Sequence, residues 1–152
     1  MKLKFENIYA DKLSLHTIES KTEEEVEKIF LNRVYNKIHS LKLKGFDTYV
    51  ENMSFSGFFS GKTQVLTVEF KKSKLKKASA CFFIEVNGAA YIFRLYKGMD
   101  KKYFEGLTEK PLSQRLEFIK NRMGDFEERN NFSSFDALMD MLFIEAVKNL
   151  PE

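Results

Sequence analysis

Few side chains in this 152-residue chain come in patterns that could do covalent or metal chemistry. Cys81 is the sole cysteine, and His16 and His39 are the only histidines. A thiol nucleophile needs a neighbouring base to take its proton, and no spacing brings either histidine to Cys81. A structural zinc site needs four Cys, His or acidic ligands, and one thiol with two imidazoles makes no such set. The expectation is therefore no cofactor and no metal. Gly57-Phe58-Phe59-Ser60-Gly61-Lys62-Thr63 invites a phosphate-loop reading. Such a loop needs four residues between its glycines and a helix after Lys-Thr, whose free N–H groups hold phosphate. Here three residues intervene and strand-like Gln64-Val65-Leu66-Thr67-Val68 follows. A turn between strands fits this stretch better.

Glu69-Phe70-Lys71, with Asp47 upstream and a glutamate-rich helix before it, resembles the PD-(D/E)xK nucleases. The resemblance implies two carboxylates holding a divalent metal and a lysine orienting water. Glu69 and Lys71 would share one strand face, as that chemistry requires. The match spans three residues. Phe46, not proline, precedes Asp47, and a second strand rather than a helix follows Lys71. A metal-dependent nuclease ranks third among the functions considered.

The strongest local charge feature is a run of lysines: Lys71, Lys72, Lys74, Lys76 and Lys77. It reads either as a basic finger toward nucleic-acid phosphates or an acidic protein surface, or as a solvated loop that discourages edge-to-edge aggregation. The net charge of +3 hides an asymmetry. Residues 1–61 are neutral, 62–122 carry +8 and 123–152 carry −5. Such a dipole can steer a partner.

The elements that must position these groups centre on residues 80–96. Two β-prone runs flank Asn87-Gly88, a pair that suits a type I′ turn. A turn there would set Val86 opposite Ala89, Ile84 opposite Tyr91, Phe82 opposite Phe93 and Ala80 opposite Leu95, all on one apolar face. The other face, with Phe83 opposite Ile92 and Cys81 opposite Arg94, is mixed. Thr63 to Lys72 alternates as a strand. Pairing Phe70 with Ala80 would leave Ser73 to Lys77 as a loop, with the lysines crowning a hairpin tip.

Upstream, Leu3 and Phe5 alternate with charged residues, as do Leu13 to Ile18, and Tyr9-Ala10-Asp11 could turn between them. Ser20-Lys21-Thr22-Glu23-Glu24-Glu25 reads as a capped helix start. Val26, Ile29, Phe30, Val34, Ile38 and Leu41 make the apolar stripe of that helix, and Gly45 is its stop. Phe46 to Phe59 looks extended, with a bulge at Asn52. After Tyr96, Gly98 and Gly106 mark a loop region with a helical turn near Lys101 to Glu105. Pro111 opens a helix with Leu112, Leu116, Ile119 and Met123 on one face. A final helix, capped near Ser133, carries Leu138, Met139, Leu142, Phe143, Ala146 and Val147.

The fold expected is α+β over residues 1–152 as a single domain. It has an antiparallel sheet of four to six strands, one N-terminal helix packed on it and two C-terminal helices. A single cysteine, no leader-like apolar start and no long apolar run suggest a cytoplasmic protein away from the membrane. The function expected is a small non-catalytic binding or regulatory module acting through a protein–protein surface. Nucleic-acid binding through the lysine tip is the alternative.

Overall fold

Strand alternation and helical stripes assemble into two layers. The structure is a computed structural model that describes residues 5–54, 62–72, 75–106 and 110–151. Five strands form an antiparallel sheet among these residues: β1 (Ile8–Thr17), β2 (Phe46–Ser54), β3 (Lys62–Lys72), β4 (Leu75–Asn87) and β5 (Ala90–Met99). Their order across the sheet is β1-β5-β4-β3-β2. Strands β2 to β5 form a meander, and β1 closes on the last of them. Helix α1 (Glu23–Ser40) links β1 to β2, while α2 (Leu112–Arg122) and α3 (Phe126–Ala146) follow β5. The α+β expectation holds. No helix among the described residues is long and apolar enough to cross a membrane.

The helices cover one sheet face. Phe30 of α1 meets Phe93 of β5 at 5.0 Å, Phe82 of β4 at 6.4 Å and Phe143 of α3 at 6.1 Å between ring centroids. All four rings are buried, and each such ring contributes roughly 1.5–3 kcal/mol. On the far face a smaller cluster of Val65, Cys81 and Phe83 is buried, with Tyr96 packed against it.

Helix α1 begins as its sequence requires. The Thr22 hydroxyl oxygen accepts from the Glu25 N–H at 3.2 Å, and Glu23, Glu24 and Glu25 sit in the positive first turn. The helix ends earlier than Gly45. Leu41 is the cap and Lys42 takes the left-handed conformation at φ 51°. Gly45, at φ 85°, serves another purpose: a Cβ there would lie 2.8 Å from the Lys71 carbonyl oxygen.

Several expectations are corrected. The turn between β4 and β5 is Gly88-Ala89, and Asn87 pairs with Ala90. Of the turn residues only Gly88 has positive φ, at 61°, which suits a II′ turn, whereas I′ needs positive φ at both positions. Phe82 therefore faces Leu95, not Phe93, and Cys81 faces Tyr96, not Arg94. The pairing moves by two, so every side chain keeps its face. Likewise Phe70 pairs with Ala78 rather than Ala80. Strand β3 runs through Lys72 and β4 starts at Leu75. Of the expected loop, 75–77 is strand and 73–74 lie outside the described residues.

Tyr9-Ala10-Asp11 makes no turn. The pairing with β5 shifts between Ile8 and Ala10, and β1 runs straight on to Thr17. An irregularity of this kind absorbs one residue without ending the strand. Phe5 lies in a short 3-10 turn, Phe5–Asn7, and residues 1–4 lie outside the described residues. Asn52 pairs regularly with Gln64. Gly98 is inside β5, and the helical turn expected nearby is the 3-10 segment Lys101–Phe104. Helix α3 starts at Phe126, before Ser133, because Asp125 caps it by accepting from the Glu127 and Glu128 N–H groups. The turn between Gly57 and Gly61 lies outside the described residues.

Candidate functional site

Three segments distant in sequence converge at one end of the sheet. The Lys71 N–H donates to the Gly45 carbonyl at 3.0 Å, which draws the α1–β2 connection against β3. Only glycine fits there, given the positive φ and the close Lys71 carbonyl. The Asp100 N–H donates to the Lys77 carbonyl at 3.0 Å and brings the end of β5 beside β4. Asp100 also starts the 3-10 turn by accepting from the Lys102 N–H. Lys42 and Lys44 thereby join Lys71 and Lys77, and Lys101 and Lys102 follow from β5. All six are exposed.

Of the lysines singled out by sequence, Lys71 is exposed on β3 and Lys77 on β4. Lys72 and Lys76 belong to the same two strands, and Lys74 lies outside the described residues. Lys71, Lys72, Lys76 and Lys77 thus lie on the paired ends of β3 and β4, on either side of residues 73–74. Their end of the sheet also holds acids: Asp47, Glu69, Asp100 and Glu105. The Lys77 ammonium stands 3.8 Å from the Glu69 carboxylate. Two apolar side chains, Leu41 and Leu43, are 36% and 44% exposed between the helix end and the lysines.

The other end of the sheet is acidic. The Ile18 N–H donates to the Ala89 carbonyl at 2.9 Å, which places the β1–α1 connection at the β4–β5 turn. Glu19, Glu23, Glu24 and Glu25 are exposed there, with Lys21 among them. Exposed glutamates and exposed lysines thus gather at opposite ends along the strand direction, with Glu128 reaching the lysine end through the Tyr103 hydroxyl.

Asp47 and Glu69 are direct cross-strand partners, and alternation puts Lys71 on the same far face. Glu69 is already engaged, since the Tyr49 hydroxyl donates to it at 2.8 Å. Burial, then this bond and the carboxylate charge, hold the Tyr49 hydroxyl well above the usual tyrosine range. Among the described residues no three His, Cys, Asp or Glu side chains gather to hold a metal ion.

The thiol residues stay apart. Cys81 is buried on β4, and burial pushes its thiol up to about 11, against a partial offset from the Thr67 hydroxyl. This is the reverse of thiolate activation. Arg94, expected opposite it, instead pairs with Glu85 at 3.3 Å. His16 shares a 2.7 Å hydrogen bond with Ser14, and His39 meets Thr48 at 3.0 Å.

One cluster went unnoticed in the sequence. The Lys97 ammonium, 3% exposed as a residue, donates to Asp136 Oδ1 and Asp140 Oδ1 at 2.7 Å each. The Tyr9 hydroxyl donates to the same Asp136 oxygen at 2.8 Å, and Lys12 approaches Asp140 at 3.9 Å. Two lysines balance two aspartates, so the group is neutral and pins α3 to β1 and β5. The visible signal was the pair Asp136 and Asp140, one helical turn apart beside buried Phe135 and Met139. Two arginines act on the backbone. Arg115, buried, donates to the Ile8 carbonyl at 2.8 Å and the Lys110 carbonyl at 3.0 Å. Arg33 donates to the Ala146 and Lys148 carbonyls, which satisfies the end of α3. Comparison of the chain with protein-family models, with curated proteins and with solved structures finds no match.

Proposed function

We propose that this chain is a non-catalytic binding module that engages an acidic partner protein through the lysine-rich end of its sheet. The observation that supports it is the convergence of Lys42, Lys44, Lys71, Lys77, Lys101 and Lys102 from three separate segments. The acidic end opposite would orient the molecule as it approaches a negative surface. Leu41 and Leu43 supply the apolar contacts that a protein interface places inside a charged rim.

A second reading, binding of nucleic-acid phosphates, draws on the same lysine density. Exposed Arg122 also reaches that end, but its guanidinium is engaged by the Tyr103 and Glu105 carbonyls, and the acids beside the lysines would repel phosphates. Fluorescence anisotropy with DNA and RNA at low salt separates the readings. No saturable binding is expected. Binding that is lost when the six lysines become glutamine would overturn the protein-partner reading. Capture from a cytosolic extract, repeated after nuclease treatment, should retain a partner. The glutamine variant should capture it more slowly, because rim charges set association rate more than final affinity.

A further inference from the structure

We propose that two copies of this chain pair through the free edge of β1, forming a two-fold dimer with one continuous sheet. Strand β1 hydrogen-bonds only to β5 among the described strands. Helix α2 packs against β1 and its Arg115 occupies the Ile8 carbonyl at the start of the strand, whereas Asp11 to Thr17 runs without proline or further irregularity. Leu13 and Leu15 are 57% and 65% exposed on its far face, neighbours of Arg94 and Ile92 on β5. Edge strands usually carry charge where pairing must be prevented. These carry leucine instead.

The sequence of β1 selects its own partner register. A two-fold axis perpendicular to the sheet keeps each face on its own side, so a residue pairs with one of the same parity. Centring the axis on Lys12 opposes two ammonium groups. Centring it on Leu13 sets the Asp11 carboxylate against Leu15 of the second copy. Centring it on Leu15 sets Leu13 opposite Thr17 and leaves Asp11 beyond the end of the partner strand. Centring it on Ser14 pairs Leu13 with Leu15 twice, closing four leucines into one cluster, with Asp11 opposite Thr17 and Lys12 opposite His16. That register removes the leucines from water and opposes no like charges. The opposite edge, β2, has Asp47 and Glu51 on its far face. Pairing it with itself about Tyr49 would set those carboxylates against each other.

Light scattering with size exclusion over a concentration series tests the dimer. Twice the chain mass is expected. Leu13→Lys with Leu15→Lys should weaken association by at least about a hundredfold while the circular dichroism spectrum of the folded chain stays unchanged, since both side chains are exposed in the single copy. Ser14→Cys should form a disulfide across the axis under mild oxidation, and Asp11→Cys should not. Cys81, buried, does not compete. The chain mass alone at every concentration would overturn the proposal. So would a dimer indifferent to the leucine changes, or cross-linking through Asp11→Cys in place of Ser14→Cys.

Discussion

The two faces of the sheet are made from alternate residues of the same strands, yet they meet their charges in different ways. Under the helices, Phe82, Phe93 and Leu95 are fully buried, and the buried ammonium of Lys97 is clamped between two carboxylates. On the far face, Val65, Cys81 and Phe83 are as deeply buried, but the charged residues around them form separate two-residue pairs. Arg94 meets Glu85, and Lys77 meets Glu69. The first face spends its ion pairs on docking a helix. The second holds Arg94, Glu85 and Glu69 in partly buried pairs between strands and leaves only the Lys77 ammonium of the four well exposed, at 45%.

The sharpest way to break this contrast is in the aromatic layer. Phe82→Ala should destabilise by about 3–5 kcal/mol in urea unfolding, because helix and sheet close around the ring. A loss under about 1 kcal/mol would mean that the helix face relaxes as readily as a surface. Next comes the clamp. Lys97→Met should cost about 2–4 kcal/mol by leaving Asp136 without a counter-ion and Asp140 with Lys12 alone, at 3.9 Å. This falls short of a fully buried pair because each carboxylate keeps about a quarter of its surface in water, 25% and 27%. Adding Asp136→Asn and Asp140→Asn should recover most of that loss.

The thiol on the far face gives a smaller effect, with a defined pH sign. Its folded value of about 11 lies above the ordinary 9.0, so the native state favours the protonated form. Stability from this group is complete below about pH 9 and is lost as pH rises toward 11. Alkaline unfolding should therefore set in later for Cys81→Ala. Tyr9 and Tyr49, both held above their usual range, push the same way and should persist in that variant. Smallest of all, Lys71→Gln with Lys77→Gln should shift stability by less than about 0.5 kcal/mol. A larger loss would show that the lysine end supports the fold.

Much of the architecture was legible from alternation and helical spacing. The face of each strand residue was readable because errors of two in register leave parity intact. The partners were not, since Asn87-Gly88 and Gly88-Ala89 are both acceptable turns and only the packed sheet chooses. Tyr9-Ala10-Asp11 looked like a turn because a strand irregularity and a turn break alternation alike. The polar start of α3 hid a helix whose first turns face solvent. The lysine run was plain in the sequence. Its enlargement by Lys42, Lys44, Lys101 and Lys102 was not, because it depends on which connections the topology brings to one end. The Lys97 clamp joins residues about forty positions apart, beyond any local pattern.

The place of β1 in the sheet has a consequence for how the chain is made. Its partner is the last strand, from Thr17 with Ala90 to Ile8 with Gly98, while β2 to β5 pair with sequence neighbours. At ordinary rates of synthesis several seconds separate the appearance of β1 from that of β5. The meander can close locally first, and β1 must then cross a long loop to join it. Until it does, Tyr9, Leu13 and Leu15 have no sheet to lie on. The slow step of folding, and the interval of greatest aggregation risk, should both belong to the docking of β1 on β5.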